Sequence, residues 1–225
     1  KIVCKVSKLV TEEQRKNLGF AVFDTDINEL REIQRLNPFI KIIQTSTKLS
    51  VGEYLNIDTH ARDNWFPVNA ILNSKTLTEG AGQVRAISRL AFDTALRAGK
   101  MEQLHEAIQD LYKLEEGQGE QALRVIIVSS LAGGTGSGLI LPVALYIKNY
   151  LATHFRQSAN ITRGFFILPE VFDEVIPGQV ERNTLRSNAY ATLRELDAFL
   201  MKGDKTLPDS YQDTVKIDFP RVGSA

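Results

Sequence analysis

Four glycines set among serine and threonine form the part of this sequence best suited to bind a ligand. Residues 130–138 read Ser-Leu-Ala-Gly-Gly-Thr-Gly-Ser-Gly and follow a short apolar run, residues 125–128, that is typical of a buried strand. A helix that starts near Leu139 would present unpaired N–H groups and a partial positive charge to this loop. Glycines would also let a polyphosphate approach the backbone. We therefore predict a phosphate-binding loop with glycines at positive φ and with Pro142 in the first turn of the helix.

The two commonest nucleotide-binding loops do not match this run. A P-loop requires Lys followed by Ser or Thr after its last glycine, whereas Gly138 is followed by Leu-Ile. The dinucleotide-binding fingerprint requires the spacing Gly-x-Gly-x-x-Gly, whereas Gly134, Gly136 and Gly138 are spaced by two. A glycine turn that serves only packing is the structural alternative. The residues alone therefore indicate a phosphate site of a less common class.

The elements that would position this loop follow from the pattern of apolar residues. Short apolar runs alternate with long stretches of helical periodicity, which predicts crossover units and an α/β fold with a mainly parallel sheet. Strands are predicted at residues 20–23, 40–45, 125–128, 164–168 and 214–219. Helices are predicted at residues 1–10, at residues 84–114 with a join near Gly99, and at residues 181–201. Residues 46–78 are predicted to be a long connection with short structured pieces.

Composition narrows the possible classes of function. The chain has 225 residues, of which 43% are hydrophobic, and its 27 Lys and Arg balance 27 Asp and Glu. These values argue against disorder and against a strongly basic nucleic-acid binder. The single cysteine, Cys4, and the three dispersed histidines have no spacing typical of a disulfide or a metal site. The longest apolar run is too short to span a bilayer. Together with the balanced charge and the single cysteine, this leads us to expect one cytoplasmic domain without direct nucleic-acid or membrane binding.

The glycine run resembles the GTP-phosphate signature of the tubulin/FtsZ superfamily, and Pro142-Val143-Ala144 continues it as the FtsZ helix does. The resemblance extends over about residues 19–194. It implies a Rossmann-like three-layer nucleotide-binding domain that binds GTP or GDP together with Mg²⁺. Identity outside the loop is thin, which favours a divergent bacterial or phage tubulin-like protein over FtsZ itself.

Three weaker matches occur in the order expected for that superfamily. Residues 21–26 resemble the strand and loop that carry Asn-Thr-Asp in FtsZ, where Thr25 and Asp26 match and Asp24 departs. Gly80-Ala81-Gly82 resembles the loop that approaches the γ-phosphate, and residues 165–172 resemble the fifth strand and the loop that reaches the ribose. The nucleotide-binding residues implied by the resemblance are Ala132, Gly133, Gly134, Thr135, Gly136, Ser137, Gly138, Asp24, Thr25, Asp26, Gly80, Ala81 and Gly82, with Glu174 and Arg182 at the ribose.

The resemblance also implies how such a protein works. Members of the superfamily assemble head to tail into filaments, and an acidic loop of one subunit completes the GTP site of its neighbour. No residue of this chain is assigned a catalytic role, and its expected partners are nucleotide and copies of itself. We expect residues 1–225 to be a single nucleotide-binding domain, part of a longer protein, without the first glycine loop and the C-terminal activation domain of the superfamily. On its own it should bind weakly and hydrolyse little GTP.

Some interpretations remain open at the level of sequence. A non-hydrolysing tubulin-like scaffold that binds nucleotide weakly or not at all is the alternative function. Asp26 either organises Mg²⁺ through water or caps a helix that begins near Asn28. Asn188 either contacts the ligand or is an ordinary hydrogen-bonded helix residue, and we favour the second. Trp65 either anchors a partner or packs into a hydrophobic cluster under the long connection.

Overall fold

The computed structural model describes residues 9–46, 48–57, 59–67, 69–76, 82–114, 122–155 and 158–201. The predicted strand at residues 214–219 and nearly all of the predicted N-terminal helix lie outside these ranges, as do Gly80 and Ala81. Within the ranges, helices and strands alternate along the chain in the manner of an α/β fold.

The first part of the chain forms one strand pair with short helices around it. Its elements are α1 (Glu12–Lys16), β1 (Ala21–Asp24), α2 (Ile27–Leu36), β2 (Lys41–Gln44), α3 (Val51–Ile57), α4 (Thr59–Asn64) and α5 (Ala70–Asn73). α2 begins where it does because the Asp26 carboxylate accepts hydrogen bonds from the N–H groups of Asn28 and Glu29. The long connection predicted at residues 46–78 is confirmed in its described part, which contains α3, α4 and α5.

The second part of the chain contains the longer helices. Its elements are α6 (Arg85–Arg97), α7 (Glu102–Leu114), β3 (Arg124–Ser130), α8 (Gly134–His154), β4 (Ile161–Ile167), a 3₁₀ turn (Pro169–Phe172) and α9 (Gln179–Met201). The predicted pair of helices at residues 84–114 is confirmed, and Gly99 lies between them with a φ of +69°, a conformation that favours glycine. The helix predicted at residues 181–201 is confirmed as α9.

The helix after the glycine loop begins earlier than predicted. α8 starts at Gly134 instead of near Leu139, so Pro142 lies in its third turn and the prediction that Pro142 lies in the first turn is wrong. Pro142 has no N–H to donate to the carbonyl oxygen of Gly138, four residues before it. The first turns of the helix therefore contain Gly134, Gly136 and Gly138, at positions where a Cβ would collide with neighbouring segments.

The strands pair in parallel, as predicted. β1 pairs with β2, where Phe23 lies opposite Ile43, and β3 pairs with β4, where Val128 lies opposite Phe165. Among the described strands these form two separate two-stranded pairs. Parallel neighbours require crossover connections, and α2 and α8 supply them. The α/β class with parallel strands flanked by helices is therefore confirmed.

One hydrophobic core joins both strand pairs to α6, α7 and α8. Its buried residues are Ile43, Phe92, Ala95, Met101, Leu104, Ile108, Tyr112, Leu139, Val143, Ile147, Tyr150 and Leu151. Phe23 of β1 and Ile127 of β3 pack against this core. Because α8 buries one face here, burial of apolar surface fixes the position of its glycine-rich N-terminus.

A second hydrophobic cluster lies where α3 and α4 pack near α6. Its buried residues include Tyr54, Phe66 and Leu90, and Trp65 packs against them. The guanidinium of Arg89 lies over the indole ring of Trp65, 3.9 Å from the ring centroid. The interpretation of Trp65 as part of a cluster under the long connection is therefore confirmed.

An aromatic cluster joins α7 to α8. The His105 ring stacks on the Tyr150 ring with centroids 4.1 Å apart, and His105 Nε2 lies 2.7 Å from the Tyr146 hydroxyl. Burial lowers the pKa of His105, and nearby His154 lowers it further. Burial also raises the pKa of Tyr146 to about 12. The folded chain therefore favours the neutral forms of both side chains.

Candidate functional site

β3 leads directly into the glycine loop, and the loop ends at the N-terminus of α8. Gly133 is the N-cap residue, with extended backbone (φ −79°, ψ 163°), and no side chain caps the helix there. The N–H of Ala132 donates to the hydroxyl oxygen of Ser130 over 3.2 Å. An uncapped helix of 21 residues presents N–H groups and the positive end of its dipole at this point. The arrangement is therefore suited to an anion with several acceptor oxygens.

Three of the four glycines in this loop are required by close contacts. A Cβ on Gly134 would lie 2.6 Å from the carbonyl carbon of Gln83. Cβ atoms on Gly136 and Gly138 would lie closer than 3.0 Å to carbonyl oxygens of neighbouring segments. None of the loop glycines has a positive φ, so the prediction of left-handed glycines is wrong. These residues are glycine because the start of α8 packs tightly against the segments around it.

Gly133 and Ser137 have opposite surroundings. Among the described residues, none beyond its chain neighbours has an atom within 4 Å of the position that a Cβ on Gly133 would occupy, which leaves room there for a ligand. Ser137 is buried, and its hydroxyl donates to the carbonyl oxygens of Gly133 at 2.5 Å and Gly134 at 3.3 Å. Thr135 is half-buried in the first turn of α8. Thr135 and Ser137 are both among the predicted nucleotide-binding residues, and the Ser137 hydroxyl stabilises the start of the helix in this structure.

The predicted residues at the end of β1 form a hydrogen-bonded turn. Asp24 Oδ1 accepts hydrogen bonds from the N–H groups of Thr25 at 2.6 Å and Asp26 at 3.1 Å. Thr25 is fully buried, and its hydroxyl donates to the same oxygen at 3.4 Å. Asp26 Oδ1 accepts from the N–H of Asn28 at 2.8 Å. The capping role of Asp26 is confirmed, and a role toward Mg²⁺ stays a prediction.

The segment before α6 lies against the glycine loop. Gly82 and Gln83 have φ angles of +52° and +62°, and Gln83 is the one non-glycine residue with a positive φ in the described part of the chain. From α9, the side-chain amide of Asn188 donates to the carbonyl oxygens of Gln83 at 3.0 Å and Ala132 at 3.1 Å. The interpretation of Asn188 as a hydrogen-bonded helix residue is confirmed. One of its acceptors is in the glycine loop, and the other follows Gly82 directly.

Further polar contacts from α9 reach the same two segments. The Thr192 hydroxyl lies 3.2 Å from the Ser137 carbonyl oxygen and 2.8 Å from the Asn188 carbonyl oxygen of its own helix, and its one proton is shared between these acceptors. The Glu195 carboxylate accepts two hydrogen bonds from the Arg85 guanidinium, at 2.8 and 2.6 Å. Sequence reasoning missed Arg85, Thr192 and Glu195. A usable signal was present, because residues 188, 192 and 195 are polar and lie on one face of a helix.

Of the residues predicted to reach the ribose, Glu174 lies in the turn between β4 and α9, and Arg182 lies in the first turn of α9. Glu174 is exposed, and the Arg182 guanidinium donates to the carbonyl oxygen of Pro177 at 3.2 Å. An ion pair that was not predicted joins Asp173 to Arg186 at 2.7 Å. These contacts hold the turn against the start of α9. The ribose role of Glu174 and Arg182 stays a prediction.

Two kinds of feature are absent from the residues that the structure describes. They contain no group of three His, Cys, Asp or Glu side chains that could hold a metal ion. In the same residues, no helix is both long enough and apolar enough to cross a membrane. The chemistry that the glycine loop itself offers is hydrogen bonding from backbone N–H groups.

A comparison with protein families covers nearly the whole chain. The family described as tubulin like matches residues 2–223. No curated protein matches the chain. The matched range includes the glycine loop, the turn after β1, and α9.

Proposed function

This chain belongs to the tubulin-like family, and from that premise we propose that it is the GTP-binding domain of a filament-forming GTPase. The proposal rests mainly on the structure of the N-terminus of α8. A helix of 21 residues begins there at a glycine without a side-chain cap, and no described residue beyond its chain neighbours fills the position of its missing Cβ. Such a terminus binds phosphate through its N–H groups and its dipole.

The residues that would hold the nucleotide follow from the site geometry. The phosphates would lie on the N–H groups around Gly133 and Thr135, and Gly82 would approach from the segment before α6. Asp24 and Asp26 at the end of β1 supply carboxylates suited to the water shell of Mg²⁺. When bound, Mg²⁺ would neutralise charge on the phosphate oxygens. The preference for guanine rests on the family resemblance.

Hydrolysis in such a protein depends mainly on positioning and charge stabilisation. The glycine loop would hold the phosphates in place, and an acidic residue from a neighbouring subunit would orient the attacking water. Contacts that join unlike surfaces of successive copies produce an open filament. The partners proposed for this chain are therefore nucleotide and further copies of itself, and hydrolysis is linked to assembly.

Thermal unfolding with added nucleotide tests the proposal. GTP and GDP with Mg²⁺ should each raise the unfolding temperature of the 225-residue chain, since a ligand at about 100 times its dissociation constant adds about 2.7 kcal/mol of stability. ATP at the same concentration should have a smaller effect. The proposal is wrong if neither guanine nucleotide stabilises the chain at millimolar concentration.

One observation favours a second candidate, a tubulin-like scaffold that does not hydrolyse nucleotide. Contacts within the protein already explain why Gly134, Gly136 and Gly138 are glycines, and the Ser137 hydroxyl bonds within its own loop. A chain that kept the loop for folding alone would need these features too. The same titration separates the candidates, because a scaffold of this kind would show no stabilisation by any nucleotide.

A further inference from the structure

Asn188 lies between two loops that are distant in sequence. It is a buried residue of α9, 8% exposed, and its amide nitrogen donates to Gln83 in one loop and to Ala132 in the other. A primary amide has two N–H donors, so these two bonds use both of them. The two loops are also in direct backbone contact, since a Cβ on Gly134 would meet the backbone of Gln83 at 2.6 Å.

The conformation of Gln83 shows that this junction is constrained. Its φ of +62° is unfavourable for a residue with a side chain. Such a conformation persists only where surrounding contacts hold it in place. The hydrogen bond from Asn188 to the Gln83 carbonyl oxygen is one of those contacts, and Gly134 packs against the same peptide.

Two further residues on the same face of α9 contact the glycine loop and the start of α6. One and two turns beyond Asn188, Thr192 donates to the Ser137 carbonyl oxygen and Glu195 accepts from Arg85, the first residue of α6. α9 thus contacts the glycine loop just before its first glycine and again between Gly136 and Gly138, and it also contacts the start of α6. No part of this arrangement requires a ligand to be present.

We propose that Asn188 is a positioning residue that locks the segment before α6 onto the glycine loop, so that both loops and α9 respond to nucleotide as one unit. The ligand in this proposal rests on the proposed function. The lock, meaning the contact of Asn188 with both loops, is present in the chain without any ligand. Nucleotide bound at the glycine loop would then also order residues 82–84. α9 would transmit that ordering toward Met201.

Hydrogen exchange of the full 225-residue chain tests the lock, with Asn188→Asp as the variant. Aspartate has the same shape but carries no amide donors, and it places acceptor oxygens against two carbonyl oxygens. Without nucleotide, amide exchange in peptides covering residues 82–87 and 131–138 should be at least about fivefold faster than in the wild type. Asn183→Asp is the matched control, because Asn183 is exposed on the same helix and accepts a hydrogen bond that aspartate also accepts.

Adding GTP and Mg²⁺ separates positioning from simple stabilisation. In the wild type and in Asn183→Asp, GTP should slow exchange in both peptides together. In Asn188→Asp it should slow exchange only in residues 131–138. If Asn188→Asp does not fold, Thr192→Val removes one donor at nearly constant shape and should weaken the joint response in the same direction.

The exchange rates distinguish a specific role of Asn188 from general destabilisation and from failure of the proposed function. Unchanged exchange in both peptides of Asn188→Asp, or joint protection by GTP that persists in it, would overturn the lock. Faster exchange spread evenly over the whole chain would also overturn it, because that pattern indicates global destabilisation. If GTP protects nothing in the wild type, the proposed function fails, and the exchange rates without nucleotide still decide whether the two loops are locked.

Discussion

Gly133 and Gly136 lie three residues apart and differ in what surrounds their α-carbons. A Cβ on Gly136 would collide with the carbonyl oxygen of Ser130, whereas one on Gly133 would meet no described residue beyond its chain neighbours within 4 Å. Packing therefore explains one glycine and leaves the other unexplained. N-cap preference supplies one physical reason for glycine at position 133, and the proposed access for a ligand would supply a second.

This difference predicts opposite stabilities for two alanine variants. Gly136→Ala should lower the free energy of unfolding by about 3 kcal/mol, at the upper end of the cost of overpacking, because a backbone oxygen must move. Gly133→Ala should lower it by less than about 1 kcal/mol, since its φ of −79° suits alanine and only N-cap preference is lost. Urea unfolding measures both values, and similar losses in the two variants would refute this assignment.

The sequence predicted where the glycine loop lies between a strand and a helix more reliably than it predicted the geometry of that loop. Residue types and spacing placed a phosphate loop at residues 130–138, and the structure puts those residues at an uncapped helix start. The predicted positive φ was wrong because glycine permits both left-handed backbone and close approach. Composition cannot distinguish these two uses, which depend on neighbours such as Gln83 that are distant in sequence.

The contact between α7 and α8 contains a histidine whose pKa is lowered in the folded chain. His105 is held between Tyr146 and Tyr150, and burial lowers its pKa, with a smaller contribution in the same direction from His154. Glu102 opposes the shift but does not reverse it. The unfolded chain therefore takes up a proton at this position at a higher pH than the folded chain does.

The sign of the pH effect follows from that difference. Stability from neutral His105 is present above the ordinary histidine pKa of about 6.5 and is lost as pH falls through 6.5 toward the lower folded value. His105→Gln should reduce the loss of stability between pH 7.5 and pH 5.5 in urea unfolding. His154→Gln should reduce it less. A loss as large in His105→Gln as in the wild type would show that His105 does not cause it.

Element types were predictable where one face of a helix is regularly apolar. α6, α7 and α9 have such faces, and Gly99 marked the join between the first two. The start of α8 was misplaced by five residues, because glycine has low intrinsic helix propensity and local sequence favours a loop. Tertiary packing overrides that preference at Gly134, Gly136 and Gly138.

Across the whole molecule, the contacts that matter most to the site come from α9. Asn188, Thr192 and Glu195 reach segments that lie more than 50 residues earlier in the chain. A single sequence shows that these residues share a helix face, but it does not show what that face touches. Their role therefore emerged only from the structure.

Turnover should depend on contact between copies of the protein. If an acidic residue of a neighbouring subunit completes the site, the rate of phosphate release per subunit should rise with protein concentration. At low concentration the 225-residue chain should release little phosphate even when GTP is bound. Rapid turnover that does not change with concentration would exclude a catalytic acid supplied by a second subunit.

The affinity of GTP for the wild type and for Gly133→Asp tests the glycine-loop assignment most directly. Aspartate at an N-cap would accept hydrogen bonds from the first turn of α8 and would repel phosphate. The wild type should bind GTP with Mg²⁺, and Gly133→Asp should bind at least about tenfold more weakly, since a hydrogen bond to a charged group contributes about 1.5–3 kcal/mol. The free energy of unfolding of Gly133→Asp should equal or exceed that of the wild type. Equal GTP affinity in the two proteins, or no binding by the wild type, would contradict a phosphate site at this loop.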